Sequence, residues 1–112
     1  MNWKFTGDRP VYQQIMETLR GAIVKGELTP GKKVPSVREL AAQAQVNPNT
    51  MQRAMTELER QGLVHSQRTA GRFVTQDDAV IRALREDLAR TQVRDFLAAM
   101  GQLGFAPQEI AD

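Results

Sequence analysis

A mainly helical α+β fold is predicted for this chain of 112 residues, with an N-terminal domain of three helices and a β-hairpin followed by a short helical segment. Three observations predict it. Apolar residues recur at spacings of three and four in three stretches before Gly62, each bounded by capping or stop signals. Two short apolar runs then flank one polar turn. Finally, residues 1–75 carry 11 Lys/Arg against 6 Asp/Glu, net +5, whereas 76–112 carry 4 against 7, net −3, which together give the chain's +2. Such a division suits a polyanion-binding part joined to a part with another task, although so few charges also divide this way by chance.

Residues 1–9 read as an irregular lead-in closed by Gly7-Asp8-Arg9. Pro10 suits a first helical turn, where its missing N–H costs nothing, and Val11, Ile15, Leu19, Ala22 and Ile23 form one face of a helix that Gly26 stops. Leu28-Thr29-Pro30-Gly31 is a turn signal, with Lys32 and Lys33 as solvated charges behind it. Ser36 and Glu39 form a capping box opening a short helix whose inner face is Val37, Leu40, Ala41 and Ala44. Asn47 then caps a third helix with Pro48 in its first turn, and Met51, Ala54, Met55 and Leu58 face inward until Gly62. Leu63 to Ser66 and Arg72 to Thr75 pair as a hairpin around Gln67–Gly71. Asp77 and Asp78 start a long helix at its positive end, and Pro107 starts a last short one.

Helix, short helix, turn, helix, hairpin is the order of a winged helix-turn-helix, and the tight spacing between the second and third helices fits its turn of three to four residues. The division expected is therefore 1–75 as a winged helix-turn-helix DNA-binding domain and 76–112 as a helical dimerisation segment. With no cysteine, disulfides and thiolate metal sites are excluded. There is no apolar run near the roughly 18 residues of a membrane span and no signal-peptide core, so a soluble cytoplasmic protein without membrane attachment is expected. His65 has no ligand cluster around it, and Ser36 has no general base at a motif spacing. No catalytic residue, metal or cofactor is expected.

The chemistry gathers on the third helix. Opposite its apolar face lie Asn49, Gln52, Arg53, Thr56 and Arg60. Asn and Gln match adenine edges and Arg matches guanine, and a helix fits the major groove. An ordinary solvated face has the same look, so the neighbours matter. Asn47, Asn49 and Thr50 lie at the helix N-terminus, which favours a phosphate. Arg38 stands in the first turn of the preceding helix, an unfavourable end for a cation unless it meets an anion. Arg68 and Arg72 flank the hairpin tip, where arginine suits a narrow minor groove. Double-stranded operator DNA is the expected partner, and a protein-binding adaptor built on the same fold is the competing reading.

Residues 10–75 resemble the DNA-binding domain of the GntR family of bacterial regulators. The resemblance rests on Pro10-Val11-Tyr12-Gln13-Gln14-Ile15, Gly26-Glu27-Leu28 with Pro30-Gly31, Pro35 to Ala41, Val46 to Thr50, Leu58-Glu59 and Gly71 to Val74. Asn47-Pro48-Asn49-Thr50 and the short remainder look most like the YtrA-like subfamily. This resemblance implies a dimeric regulator, usually a repressor, with DNA contacts at the positions of Arg38, Thr50 and Gly71. It also implies inverted-repeat operators and control of transporter operons. Two departures stand out: Pro48 and Gln52 where many members carry arginine, and Thr69 where the wing usually has glycine. The subfamily places the dimer interface on the C-terminal helices, and the apolar stripe Ile81, Leu84, Leu88, Phe96, Met100 and Leu103 agrees, unless the helix folds back on its own domain. Two helices enclose no large pocket, so a small-molecule effector would sit at a dimer interface or between domains.

Overall fold

The computed structural model describes residues 1–111, which leaves Asp112, the end of the expected dimerisation segment, outside. Helix α1 spans Val11–Lys25, α2 Val37–Ala44 and α3 Pro48–Arg60. Strands β1 (Val64–Gln67) and β2 (Gly71–Val74) follow, then α4 (Asp78–Gln102) and α5 (Pro107–Ala111). The element order is that of a winged helix-turn-helix extended by C-terminal helices. The core lies where α1, α2 and α3 meet, with Ile15, Leu19, Leu40, Met51, Met55 and Leu58 fully buried. Val64 and Val74, a directly paired couple in the hairpin, close its lower side.

Local signals explain where the helices stop. Ser36 Oγ accepts from the Glu39 N–H at 3.1 Å, satisfying one orphan donor of α2. Gln45 then adopts a left-handed conformation (φ 57°), and the Val46 N–H reaches back to the Ala41 carbonyl at 3.0 Å. That closure turns the chain sharply enough for α3 to begin three residues later, with Asn47 Oδ1 accepting from the Asn49 N–H at 2.7 Å. At the far end of α3, Gly62 (φ 79°) lets the Leu63 N–H bond the Leu58 carbonyl at 3.0 Å. Leu63 is thereby set into the core beside Leu58.

Two features were not expected. Directly after the turn signal Leu28–Gly31, the segment 31–34, for which no strand was expected, runs antiparallel beside β2: the Gly31 N–H donates to Val74 O at 2.9 Å, the Val74 N–H to Lys32 O at 3.0 Å and the Val34 N–H to Arg72 O at 2.9 Å. This edge carries one buried apolar residue, Val34, so it shows no alternation to read. The other feature is the lead-in, which Gln14 holds in place from inside α1. Gln14 is 4% exposed, and its Nε2 donates to the carbonyls of Thr6 and Arg9, both at 2.9 Å, while its Oε1 accepts from the Thr6 N–H at 2.8 Å. A buried amide so fully paired avoids the desolvation penalty that an unpaired one would carry. It fixes the chain on which Trp3 and Phe5 pack against the core.

Helix α4 corrects the expected dimer stripe. Ile81 and Leu84, assigned to an intermolecular face, are buried in the core of their own domain, and Leu88 packs half-buried at its margin. Arg20 of α1 pairs with Asp87 of α4 at 2.9 Å and holds the two helices together. The physical reason is helical phase. At about 100° per residue, Ile81, Leu84 and Leu88 share one face, whereas Val93, Phe96, Leu97, Met100 and Leu103 lie on another, rotated by roughly a third of a turn. One continuous stripe is therefore two faces, and the second leaves Val93, Phe96, Leu97 and Leu103 exposed, with Met100 half-buried among them. Asp77 starts the helix by accepting from the N–H groups of Ala79 and Val80 at 2.9 and 3.4 Å.

Candidate nucleic-acid interface

The first half of α3 presents Asn49, Gln52 and Arg53 as exposed side chains, with Thr50 half-buried behind them. Their direction follows from Met51, Ala54 and Met55, which are locked into the core on the opposite side. Gln52 Nε2 donates to Thr56 Oγ1 at 3.1 Å, one turn along, which orients the amide along the helix. The guanidinium of Arg53 lies over the Tyr12 ring, 3.7 Å from its centroid. Arg60, on the same helix, is occupied by Glu57, whose carboxyl is held below its ordinary range chiefly by the hydrogen bond from Arg60. Arg60 therefore reinforces the end of α3, while Arg53 rests over the Tyr12 ring and forms no ion pair with a carboxylate among the described residues.

Across from α2 stands the wing. A cleft of about 850 Å³ separates residues 33–37, at the start of α2, from residues 66–72 of the hairpin. Lys33 runs along this cleft, and Arg38 is exposed in the first turn of α2 beyond it. At the tip, the Ala70 N–H closes a turn onto Gln67 O at 3.0 Å, with Arg68 exposed and Thr69 in the left-handed region at φ 61°. Gly71 has φ 108°, and a Cβ there would sit 2.8 Å from Lys33 Cε. The positive φ is what favours glycine here, since the added Cβ would meet only the far end of the flexible Lys33 side chain, which lies against the wing backbone.

The two arginines of the wing are not equivalent. Arg68 projects at the tip, but Arg72 turns back toward α3, where its Nε lies 3.3 Å from Glu59 Oε1. The same oxygen accepts from Ser66 Oγ at 2.6 Å. These bonds, led by that from Ser66, hold the Glu59 carboxyl below its ordinary range. Arg72, expected at the DNA surface, is in this chain a brace between wing and α3. Glu59 itself was missed, because its partners lie 7 and 13 residues away and leave no local pattern. His65 stacks on Phe73, with centroids 6.2 Å apart, and serves as the outer packing of the hairpin.

Of the expected DNA contacts, Arg68, Gly71 and Arg72 line this cleft, Arg38 follows its α2 wall in the chain, and Asn49, Thr50, Gln52 and Arg53 lie on the first half of α3 outside its lining. Asn47 is engaged as the α3 cap, and Arg72 as the wing brace. A second cleft, about 820 Å³, lies between α1 and α4 and is crossed by the Arg20–Asp87 pair.

Comparison with known proteins places this geometry in context. Residues 11–74 match the model of the bacterial regulatory proteins of the gntR family. The HTH-type transcriptional regulator YhcF of Bacillus subtilis is 38% identical over 112 residues, covering all of this chain and 93% of the relative. The HTH-type transcriptional repressor YtrA of Bacillus subtilis is 41% identical over 68 residues, 61% of this chain and 52% of the relative. Among solved structures, the AraR DNA-binding domain in complex with operator ORX1 aligns with a TM-score of 0.61 and 31% identity, over 67% of this chain and 96% of that one.

Proposed function

Because the chain belongs to the gntR family of bacterial regulatory proteins and is a DNA-binding transcriptional regulator rather than an enzyme, we propose that it acts as a homodimeric repressor on an inverted-repeat operator. The observation that carries this reading is the exposed amide and guanidinium face of α3 (Asn49, Gln52, Arg53), on the third helix of a winged helix-turn-helix whose wing carries Arg68 exposed at its tip. In the proposed complex, α3 lies in the major groove and reads base edges through those three side chains. Arg38, Lys33 and the N-terminus of α3 with Thr50 meet phosphates, and Arg68 approaches the neighbouring minor groove. An operator complex of the AraR DNA-binding domain, whose fold this chain shares, supports the assignment. The likeness to the repressor YtrA supports repression, and the resemblance of the sequence to the YtrA-like subfamily extends the proposal to a transporter operon, including the chain's own.

The outer apolar face of α4 supports the dimer. Phe96 is 49% exposed, Val93 58% and Leu103 69%, in a row on a helix that stands beyond its own domain. Covering this face with a second copy removes apolar surface at about 25 cal/mol per Å². Two-fold symmetry of the dimer would then be mirrored in the operator.

Fluorescence anisotropy tests the proposal, using duplex DNA from upstream of the chain's own operon beside a scrambled duplex across a salt series. The expected outcome is salt-steep binding that prefers the upstream DNA at two protomers per site. Arg38→Ala should weaken binding to both duplexes alike. Arg53→Ala should cost about 1–3 kcal/mol on the upstream DNA alone. Equal binding of both duplexes by the unaltered chain would reject sequence-specific regulation.

A further inference from the structure

We propose that Tyr12, on the first turn of α1, is a positioning residue that holds Arg53 in the geometry needed for base reading. The inference rests on the reading of α3 as the DNA-facing helix. Tyr12 is half-buried and packed against the core, so its ring is a fixed surface rather than a mobile side chain. Arg53 is exposed, yet its guanidinium sits 3.7 Å above that ring. The carboxylate one turn along, Glu57, is taken by Arg60.

The identity of the partner decides what Arg53 can do. A carboxylate would bind the guanidinium through its N–H edge, the edge that guanine O6 and N7 must use. A ring attracts the cation through its face and leaves the in-plane N–H donors free. The stack thus restrains a long side chain without consuming its hydrogen bonds, and part of the ordering cost of binding is met before DNA arrives. Because Tyr12 lies on α1, no inspection of α3 alone would assign it a part in specificity.

The test is the ratio of dissociation constants for scrambled and operator duplex, measured for the unaltered chain, Tyr12→Leu, Tyr12→Phe, Arg53→Ala and the Tyr12→Leu/Arg53→Ala pair. Tyr12→Leu should lower the ratio about two- to fivefold, the range of an exposed cation–π contact, with affinity for scrambled DNA and the salt slope unchanged. Tyr12→Phe should behave as the unaltered chain, and the double variant should be no worse than Arg53→Ala. Discrimination retained by Tyr12→Leu, or equal losses on both duplexes, or additive losses in the double variant, would each overturn the inference alone. Tighter operator binding by Tyr12→Leu would overturn it too, since the stack would then compete with DNA. No preference in the unaltered chain would remove the underlying reading and the inference with it. A readout independent of variant folding is the Arg53 side-chain resonances, expected to keep their ring-current displacement when operator binds; its disappearance in the complex counts against positioning.

Discussion

Single residues in this domain are asked to do backbone work that their side chains resist. Thr69 adopts φ 61° at the wing tip and Gln45 φ 57° in the helix-helix turn, where glycine would carry no steric cost. A left-handed conformation costs a non-glycine residue about 1–2 kcal/mol, and a β-branched one fits it worst. Glycine gives back roughly 0.5–1 kcal/mol through the greater freedom of its unfolded chain. Thr69→Gly should therefore stabilise the domain by a net ~0.5–1 kcal/mol, read as a higher urea midpoint at unchanged slope. A lower midpoint would mean that the Thr69 hydroxyl, bonded to the Arg68 carbonyl at 2.6 Å, contributes more than the backbone strain removes. Gln14 illustrates the opposite case: an amide buried at little penalty because each of its polar atoms has a partner.

Elements are coupled here by a few polar contacts that hold the wing at a fixed angle to α3. Ser66 on β1 and Arg72 on β2 both bind Glu59 of α3, so the hairpin is braced from both strands. The Glu59 carboxyl titrates lower in the folded chain than in the unfolded one. Its contribution to stability is accordingly complete above the unfolded carboxylate range, about pH 4.3, and is lost as pH falls through the folded value. Glu59→Gln should thus unfold more easily than the unaltered chain at neutral pH, with the difference shrinking in acid. Denaturant titrations at several pH values test this, and a gap that stays constant or widens below pH ~4 would show that the brace is not ionic.

At the scale of the whole molecule, α4 divides its length between two tasks. With 25 residues it extends about 37 Å, much of it beyond the domain that anchors its first turns. The inner face (Ile81, Leu84) belongs to the core, and the outer face (Val93, Phe96, Leu97) stays exposed, the face that the proposed dimer would cover. Variants of the two faces should separate stability from assembly. Leu84→Ala should cost about 2–4 kcal/mol of unfolding free energy by opening a cavity. Phe96→Glu should leave that free energy of the isolated chain nearly unchanged but weaken self-association by at least tenfold, with operator affinity falling in parallel. Sedimentation velocity combined with denaturant unfolding distinguishes them, and an unchanged dimer in Phe96→Glu would place the interface elsewhere.

Most of the fold was legible in the sequence because its helices announce themselves locally: Ser36 and Asn47 cap, Gly26 and Gly62 stop, and Met51, Ala54, Met55 and Leu58 mark one face. The exposed row Asn49, Gln52 and Arg53 follows from that face, since helical geometry sends what is not inward outward. What only the tertiary structure decided are relations between residues distant along the chain. The pairing of 31–34 with β2 rests on backbone hydrogen bonds that any side chains permit. Arg72 bound to Glu59, Arg53 stacked on Tyr12, and Leu84 turned into its own core each depend on where another element arrives. Sequence determines which face of a helix is polar or apolar, because periodicity is a local property. Which partner covers that face is settled by packing, because it is the three-dimensional arrangement that brings the partner there.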